Sequence, residues 1–256
     1  MQAIVTIAQI TDTHLFANPD RLLRGVCTWQ SLQNILSRVK TLQPDVLLLT
    51  GDLADLGEPE AYDRLFECIS PLQIPTYWLP GNHDNLAAMD DRLNRFPLYA
   101  DKTFTIGGWQ FLLLDSTLET AKFGEGYLSR DTLNYLETAL QDSDRPTAIA
   151  LHHHSLPVGI DWVDTIGVSN AEEFLKIVDR FDRVKLVLCG HVHLECDRRH
   201  HRIRFCTTPS TCTQVMPENA TERDRDPGFR WFELHPDGTY QTRVIRVRNT
   251  TPTIVR

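Results

Sequence analysis

The sequence has no long hydrophobic run. Its apolar stretches, such as residues 46–49 and 111–114, are short, whereas a membrane-spanning helix needs about 20 residues. The first residues also lack the basic region and the cleavage site of a secretory signal. We therefore expect a cytoplasmic protein without a membrane partner.

Basic residues are also scarce. Lysine and arginine number 26 against 34 acidic residues, which gives a net charge of -8. Such a chain lacks the positive field that holds nucleic acid polymers or anionic membranes. A small-molecule substrate is the expected partner.

Paired cysteine spacings are absent as well. The six cysteines form no C-x-x-C pair and are spread through apolar segments. This distribution favours reduced, buried thiols over a disulfide framework or a cysteine zinc site.

The chain does contain a recurring pattern, in which a short apolar segment is followed by polar residues. Such segments predict buried strands, and they occur at residues 3–10, 46–49, 76–79, 147–151 and 184–189. Helical spacing separates them, at Leu32, Ile35, Leu36 and Val39, after Ser129, and at residues 60–69 and 171–181. Alternating strands and helices form largely parallel sheets that bind ligands at the carboxyl ends of their strands. The five polar segments should therefore meet at one edge.

Other strands are predicted in pairs, without helices between them. They lie at residues 102–106 with 109–114, 200–207 after 194–196, and 229–234 with 240–247. We expect a second, more antiparallel sheet that packs on the first, and an α/β (α+β) fold class. Residues 1–256 are expected to form a single domain, with 212–256 as a C-terminal loop and a β-hairpin of the second sheet.

Two polar pairs follow the predicted strands, Asp12 with His14 and His191 with His193. Residues two apart in extended backbone project to the same side, with Cα atoms ~6.6 Å apart. Each pair could therefore grip one ion, although either pair alone also fits a solvated loop or a turn cap.

Asp52 and Asn82 follow two further strands. Asp52 fits a carboxylate that bridges two cations, and equally a helix cap or an Asx turn. Asn82 lies in a Pro-Gly-Asn-His sequence typical of turns, yet its amide oxygen suits a hard metal ion.

Oxygen and imidazole ligands without cysteine favour manganese, iron, cobalt or zinc over magnesium and calcium. Two such ions ~3.5–4 Å apart can clamp an in-line displacement at phosphorus and lower the pKa of a shared water. Such a centre needs about seven ligands around a bridging carboxylate. The chain offers Asp12, His14, Asp52, Asn82, His152, His191 and His193.

These motifs resemble a known family in their order and spacing. Asp12-Thr-His14, Gly51-Asp52, Gly81-Asn82-His83-Asp84, Leu151-His152-His153 and Gly190-His191-Val-His193 are similar to the calcineurin-like metallophosphoesterase superfamily over residues 4–195. Within it, QITDTHLF from Gln9, WLPGNHD from Trp78, LHHHSLPVG from Leu151, LCGHVH from Leu188 and TPSTC from Thr208 resemble the bacterial class III 3′,5′-cyclic-AMP phosphodiesterases. The resemblance implies a four-layer αββα sandwich, in which helices flank two packed mixed β-sheets.

The resemblance also implies two metal ions that share a ligand. Asp12, His14, Asp52 and His193 would hold one, while Asp52, Asn82, His152 and His191 would hold the other. Iron and manganese are the ions most expected, and zinc or cobalt would also fit.

A histidine triplet, residues 152–154, contains one of these ligands. The family pattern aligns the metal ligand with His152. Because neighbours in extended backbone point to opposite sides, His153 should not reach the same ions. His154 could point inward again, and is expected as a pocket-lining or surface residue.

The resemblance assigns catalysis to His83, which would contact the phosphate and protonate the leaving oxygen, and to Asp55, which would orient His83. Such a proton donor is often worth 10²–10⁴-fold in rate. Helix capping is the alternative role for Asp55 and Asp84. The residues implied in substrate binding are His14, Asp52, Asn82, His83, His152 and His193.

The implied activity is hydrolysis of 3′,5′-cyclic AMP to 5′-AMP by a metal-bridging hydroxide. Glycerophosphodiesters, 2′,3′-cyclic nucleotides and nucleotide pyrophosphates stay open as substrates, since metal ligands do not separate them. A non-catalytic scaffold is disfavoured because all seven ligand types are present, and a nuclease because no basic stripe is seen. The sequence does not set the oligomeric state, although exposed strands of the second sheet could support a homodimer.

Overall fold

The computed structural model describes residues 3–248. Its strands are β1 Val5–Ile10, β2 Leu22–Leu23, β3 Val26–Cys27, β4 Val46–Thr50, β5 Thr76–Leu79, β6 Leu98–Tyr99, β7 Thr103–Ile106, β8 Trp109–Leu114, β9 Thr147–Leu151, β10 Val184–Cys189, β11 Cys196–His200, β12 Ile203–Thr207, β13 Gly228–Leu234 and β14 Tyr240–Arg246. Its α-helices are α1 Thr28–Leu42, α2 Pro59–Ile69, α3 Leu86–Leu93, α4 Arg130–Gln141, α5 Asp161–Asp164 and α6 Ala171–Val178, and short 3-10 turns lie at Ser70–Leu72 and Glu222–Arg225.

Two six-stranded mixed sheets form the centre of the molecule. The first has the order β14-β13-β1-β4-β5-β6 and the second the order β11-β12-β10-β9-β8-β7. The pairs β1–β4, β4–β5 and β9–β10 are parallel, whereas β1–β13 and β11–β12 are antiparallel.

The alternation of side chains along each strand produces the layers. In β4, Leu47 and Leu49 pack with the apolar faces of α1 and α2, while Val46 and Leu48 pack against the second sheet. A strand buried on both faces reads as a continuous apolar run. On the far side of the second sheet, Leu112 packs with α4 and α6. The predicted four-layer αββα sandwich is confirmed.

Most predicted elements have the expected bounds, but their assignment to sheets differs. We expected the five motif-bearing strands in one sheet; β1, β4 and β5 lie in the first and β9 and β10 in the second. The prediction that the C-terminal hairpin belongs to the second sheet was also wrong, because β13 pairs with β1. Both faces of β13 are apolar, with Trp231 packed on the helical side and Phe232 between the sheets. Residues 1–2 and 249–256 of the predicted domain lie outside the described residues.

The helix predictions and the cysteine pattern can be compared directly with the structure. Ser129 caps α4, since its hydroxyl accepts a hydrogen bond from the Thr132 amide at 3.0 Å. All six cysteines are free thiols, and four of them are buried. Between residues 3 and 248, no helix combines the length and the apolar character that crossing a bilayer requires.

A buried glutamine joins the two sheets near the carboxyl ends of their strands. The Gln9 side-chain amide donates to the Thr50 hydroxyl at 3.0 Å and to the Cys189 carbonyl at 3.2 Å. Its carbonyl oxygen accepts from the Thr208 hydroxyl at 2.7 Å. Because a buried amide is costly unless its partners are all in place, these bonds fix how β1 lies against β10.

An ion pair also connects the sheets. Arg230 on β13 is fully buried, and its Nη2 atom donates to the Thr207 carbonyl at 2.9 Å and lies 3.0 Å from Asp197 Oδ1 on β11. Arg204 is a second partner of Asp197. Burial alone would raise the pKa of Asp197, but the two guanidinium groups outweigh it and hold that pKa below its ordinary value.

Replacement of Asp197 with asparagine should destabilise the fold at neutral pH, because the buried Arg230 loses its counter-charge. We expect a loss of about 1–3 kcal/mol in the free energy of unfolding, measured by urea denaturation. A carboxylate with a depressed pKa stabilises the fold above its unfolded pKa of 3.8, and this contribution disappears as the pH falls through the folded pKa. The difference from wild type should therefore shrink below about pH 4.

The exposed Asp144→Asn variant serves as the control for this experiment. It should differ from wild type by less than about 0.5 kcal/mol at either pH. An Asp197→Asn variant as stable as wild type at neutral pH would contradict the role given to the pair.

Candidate metal centre

All seven predicted metal ligands lie in one region, one to four residues beyond the ends of five strands. The first sheet contributes four of them and the second sheet three. They are Asp12 and His14 after β1, Asp52 after β4, Asn82 after β5, His152 after β9, and His191 and His193 after β10. The expected convergence is therefore achieved by two sheets whose carboxyl ends face one another.

The first set of ligands centres on two histidines. His14 Nε2 lies 3.1 Å from His193 Nε2, which is itself 3.3 Å from Asp12 Oδ1. His14 Nδ1 donates to Asp55 Oδ1 at 3.0 Å, and His193 Nδ1 donates to the Thr213 carbonyl at 2.8 Å. With both Nδ1 atoms acting as donors, both Nε2 atoms carry lone pairs when the rings are neutral. Two lone pairs at this distance fit a shared cation.

The second set contains buried atoms without hydrogen-bond partners. They are Asn82 Oδ1, His152 Nε2 and His191 Nε2. His152 Nδ1 donates to the Thr50 carbonyl at 2.7 Å, which fixes the ring and leaves Nε2 as the acceptor atom. Because buried polar atoms are nearly always satisfied, Asn82 Oδ1 and His191 Nε2, together with His152 Nε2 beside Asp52 Oδ2, fit a second cation.

Asp52 lies between the two sets. Its Oδ1 atom accepts a hydrogen bond from the His83 amide at 2.9 Å. Its Oδ2 atom is 3.2 Å from His152 Nε2 and 3.7 Å from His14 Nε2. One carboxylate oxygen thus contacts a histidine from each set, as a bridging ligand requires.

The charge of the region also calls for cations. Asp12 and Asp52 are almost completely buried, and within residues 3–248 their ion pairs are with histidines alone. Burial would raise the pKa of both groups, but neighbouring histidines, His193 for Asp12 and His152 for Asp52, outweigh it and keep both pKa values low. Both carboxylates are therefore negatively charged, and the same pairing raises the pKa of His152 to about 9, so a bound cation would replace a proton on that ring.

The ligands do not lie in extended backbone, so our argument from side chains two residues apart was wrong. Asp12, His14, Asp52, His191 and His193 all have positive φ angles, between 43° and 67°. Each of these residues turns the chain sharply just beyond a strand. Such left-handed conformations cost of order 1–3 kcal/mol each for non-glycine residues and persist only where the surroundings enforce them.

Two glycines allow the ligand loops to approach one another. A Cβ atom on Gly81 would lie 2.2 Å from Asp52 Oδ1 and 2.8 Å from His152 Nε2. A Cβ atom on Gly190 would lie 2.0 Å from the Thr11 hydroxyl. Any side chain at either position would displace the ligands.

The predicted catalytic residues contact each other in an unexpected way. The carboxylate of Asp55 binds His14 rather than His83, whose Nδ1 atom lies 4.0 Å away. Instead, His83 Nδ1 donates to the backbone carbonyl of Asp55 at 2.8 Å. The helix-cap alternative for Asp55 is wrong, since α2 begins after Glu58 without a side-chain cap.

Asp84 has a structural role that the sequence analysis considered only as helix capping. Its carboxylate accepts hydrogen bonds from the amides of Leu53, Ala54 and Gly81 and from the Tyr62 hydroxyl. It therefore joins the loop after β4 to the loop after β5, while Asn85 caps α3. Burial and the nearby Asp52 raise the pKa of Asp84 to about 6.

The second and third histidines of the triplet are buried and have no direct place in either set. A nitrogen of His153 lies within 4.8 Å of ligand atoms of His152 and His191, but both its ring nitrogens are engaged. Nε2 donates to the Gly124 carbonyl at 3.0 Å, and Nδ1 accepts from the Ser116 hydroxyl at 2.8 Å. Burial lowers the pKa of His153 to about 3, so the ring is neutral. His154 is buried as well, rather than at the surface.

A cavity of about 270 Å³ opens onto the centre. Its floor contains ligands from both sets, with His83 beside them. Its outer wall includes Leu23, Arg24, Phe123, Trp162 and Val215, which the sequence analysis did not single out. Apart from Arg24, these are apolar residues within otherwise polar loops, which was their only signal in the sequence.

Comparison with known proteins agrees with this geometry. Residues 5–195 match the family described as calcineurin-like phosphoesterase. This chain belongs to that family. A calcineurin-like phosphoesterase is a metal-dependent hydrolase, and the fold implies a centre with two metal ions.

Among curated calcineurin-like phosphoesterases, the chain is 42% identical over 253 residues to a 3′,5′-cyclic-nucleotide phosphodiesterase of Nostoc sp., with 97% of this chain and 94% of that protein covered. It is also 42% identical to the 3′,5′-cyclic adenosine monophosphate phosphodiesterase CpdA of Escherichia coli, with coverages of 97% and 92%. A dimetal phosphatase from Danio rerio shares the fold, with a TM-score of 0.73, 15% identity and coverages of 90% and 93%.

Replacement of Asp52 with asparagine should remove bound metal, because it neutralises the one carboxylate that contacts both ligand sets. We expect at least a tenfold loss of metal affinity and less than one ion per chain, measured by elemental analysis after gel filtration. The fold should survive, as judged by circular dichroism. The Asp144→Asn variant is the matched control and should keep the wild-type metal content. Two ions retained by Asp52→Asn would contradict the bridging role.

Proposed function

We propose that this protein hydrolyses 3′,5′-cyclic AMP to 5′-AMP at a centre of two metal ions. The single observation that carries the substrate is the 42% identity, over 97% of the chain, to relatives named 3′,5′-cyclic-nucleotide and 3′,5′-cyclic adenosine monophosphate phosphodiesterases. The site geometry supports the reaction type, because two donor sets share Asp52 at the floor of one cavity.

In this proposal the seven ligands divide as the family resemblance implies. Bound ions would supply charge neutralisation at the phosphate and would lower the pKa of a water. His14 is oriented by the Asp55 carboxylate, His193 by the Thr213 carbonyl and His152 by the Thr50 carbonyl. Each ring is thereby held in the tautomer that presents Nε2 to the centre. The same residues, with Asp52, Asn82 and His83, line the position of the phosphate.

His83 is proposed as the proton donor to the leaving 3′ oxygen. Its backbone amide is anchored on Asp52 and its Nδ1 atom on the Asp55 carbonyl. These bonds leave Nε2 as the atom that can face a substrate in the cavity, where the side chain is partly exposed. Asp55 acts as a positioning residue for both His83 and His14.

The ligand chemistry supports iron or manganese as the bound ions, with zinc or cobalt as acceptable substitutes. All seven ligands offer oxygen or imidazole nitrogen. A neighbouring thiol, that of Cys212, lies against the Asp12 backbone carbonyl at 3.4 Å. Burial raises the pKa of this thiol to about 11, so it stays protonated and is a poor metal ligand.

A panel of phosphodiesters tests the substrate. The metal-loaded protein should convert 3′,5′-cyclic AMP to 5′-AMP with a kcat/KM at least tenfold above that for glycerophosphoethanolamine or 2′,3′-cyclic AMP, measured by liquid chromatography of the products. Strong hydrolysis of glycerophosphoethanolamine with negligible turnover of 3′,5′-cyclic AMP would overturn the proposal. The monomeric or dimeric state and a cytoplasmic location stay predictions.

Replacement of His83 with asparagine should lower kcat for 3′,5′-cyclic AMP by about 10²–10⁴-fold, because the leaving oxygen loses its proton donor. Metal content should remain at the wild-type value, since His83 is not proposed as a ligand. The same replacement should slow the hydrolysis of a cyclic phosphodiester less when its leaving group is more acidic, because that group needs less help from a proton donor. An equal loss of rate on both substrates would argue against proton donation by His83.

A further inference from the structure

Two large apolar side chains on the outer wall of the cavity are exposed. Phe123 has 82% of its surface accessible to solvent and Trp162 has 57%. Both line the cavity that contains the metal ligands. Exposed aromatic rings are unfavourable in water, and where they border a concave site they commonly mark a surface that a ligand covers.

The segment that carries Phe123 is held in place by defined hydrogen bonds. The amides of Lys122 and Phe123 donate to the Glu125 carboxylate at 3.0 and 2.8 Å. The next carbonyl, that of Gly124, accepts the hydrogen bond from His153 Nε2 at 3.0 Å. Phe123 therefore lies next to an atom that the second histidine of the triplet fixes.

The segment that carries Trp162 is anchored on the third histidine. It begins after His154, three residues beyond the end of β9, and returns there, because the Val168 amide donates to the His154 backbone carbonyl at 2.9 Å. Within this loop, Asp164 accepts hydrogen bonds from the amides of Val158 and Gly159 at 2.6 and 3.1 Å. These contacts fix the short helix α5 and with it Trp162.

The two segments also contact each other. The Gly126 amide donates to the Gly167 carbonyl at 3.0 Å, and the Gly126 carbonyl accepts from the Ser169 amide at 2.8 Å. The loops that carry Phe123 and Trp162 are thus joined three residues beyond Phe123 and five to seven residues beyond Trp162. Their spacing across the mouth of the cavity is set by the backbone.

We propose that Phe123 and Trp162 form the walls that bind the purine base, and that His153 is a positioning residue which fixes the Phe123 wall relative to the metal ligand His152. This inference rests on the proposed function, since it assigns the base subsite of the same active site. Flat aromatic rings stack on purines without requiring a particular base edge. Two consecutive histidines after one strand thus have separate tasks: His152 binds metal, and His153 holds the Phe123 segment.

The assignment predicts how the enzyme separates its substrates. A glycerophosphodiester offers no flat group to the two aromatic walls, whereas a cyclic purine nucleotide covers them. Selectivity for nucleotides would therefore reside in residues that bind no metal. The Glu125 and Asp164 carboxylates near these walls are occupied by backbone amides, so the walls themselves present mainly apolar surface.

The test compares two cyclic diesters that differ only in the base. One is 3′,5′-cyclic AMP and the other is methyl β-D-ribofuranoside 3′,5′-cyclic phosphate. The measured quantity is kcat/KM for 3′,5′-cyclic AMP divided by kcat/KM for the methyl ribofuranoside, determined with the metal-loaded full chain. Phe123→Ala and Trp162→Ala should each lower this ratio about 5- to 150-fold, mainly through KM for cyclic AMP, because one stacking surface is lost. Phe123→Tyr and Trp162→Phe should keep most of it.

Phe96→Ala is the matched control, since Phe96 is an aromatic residue that is 60% exposed and does not line the cavity. It should leave the ratio unchanged. An unchanged ratio in both Phe123→Ala and Trp162→Ala would overturn the inference, as would a wild-type enzyme that hydrolyses both diesters equally well. A wild-type enzyme that hydrolyses neither diester would instead overturn the proposed function.

The positioning role of His153 has its own test. His153→Leu removes the donor to the Gly124 carbonyl and should lower the same ratio at least fivefold with metal content unchanged, whereas His153→Gln, which retains a donor, should restore part of it. A purely structural role would instead lower kcat/KM for both diesters in proportion, and that result would refute positioning by His153.

Discussion

The structure depends on two carboxylates, Asp12 and Asp52, that are buried without a lysine or arginine partner among residues 3–248. Negative charge in such surroundings is unfavourable unless cations are bound, and the surrounding histidines direct their lone pairs towards the same place. The polar segments that follow five strands are organised around this requirement. Cations bound by these segments, rather than the acidic net charge of the protein, would set the local electrostatic field that an anionic substrate meets.

The fold meets this requirement by enforcing backbone that would otherwise be unfavourable. Five of the seven ligands have left-handed φ angles, and the loops that carry them are held by buried groups such as Gln9 and Asp84. Gly81 and Gly190 provide the space for this close packing. Strands of two sheets therefore determine the positions of the predicted ligands, and sites built on such elements are held more precisely than sites on loops alone.

The strands could be predicted from the local periodicity of apolar residues. The layers and the identity of the clustered side chains could be predicted from the motifs at the strand ends and the family that they resemble. The sequence did not reveal which sheet receives each strand, since β13 carries buried apolar side chains on both faces and could pair with either. The partner of the Asp55 carboxylate was also missed. This carboxylate accepts a hydrogen bond from His14, and the backbone carbonyl of Asp55 accepts the one from His83. The aromatic wall at Phe123 depends on loop conformation, which carries no periodic signal.

The pairing of β1 with β13 has a consequence for how the chain acquires its structure. Val5 lies opposite Leu234, so β1 has β4 as its only sheet neighbour until the chain has been synthesised as far as β13. Contacts this distant in sequence form late and slow the folding of a domain. During translation β1 presents an open edge to other nascent chains, and closure of that edge by the C-terminal hairpin completes the sheet that carries Asp12.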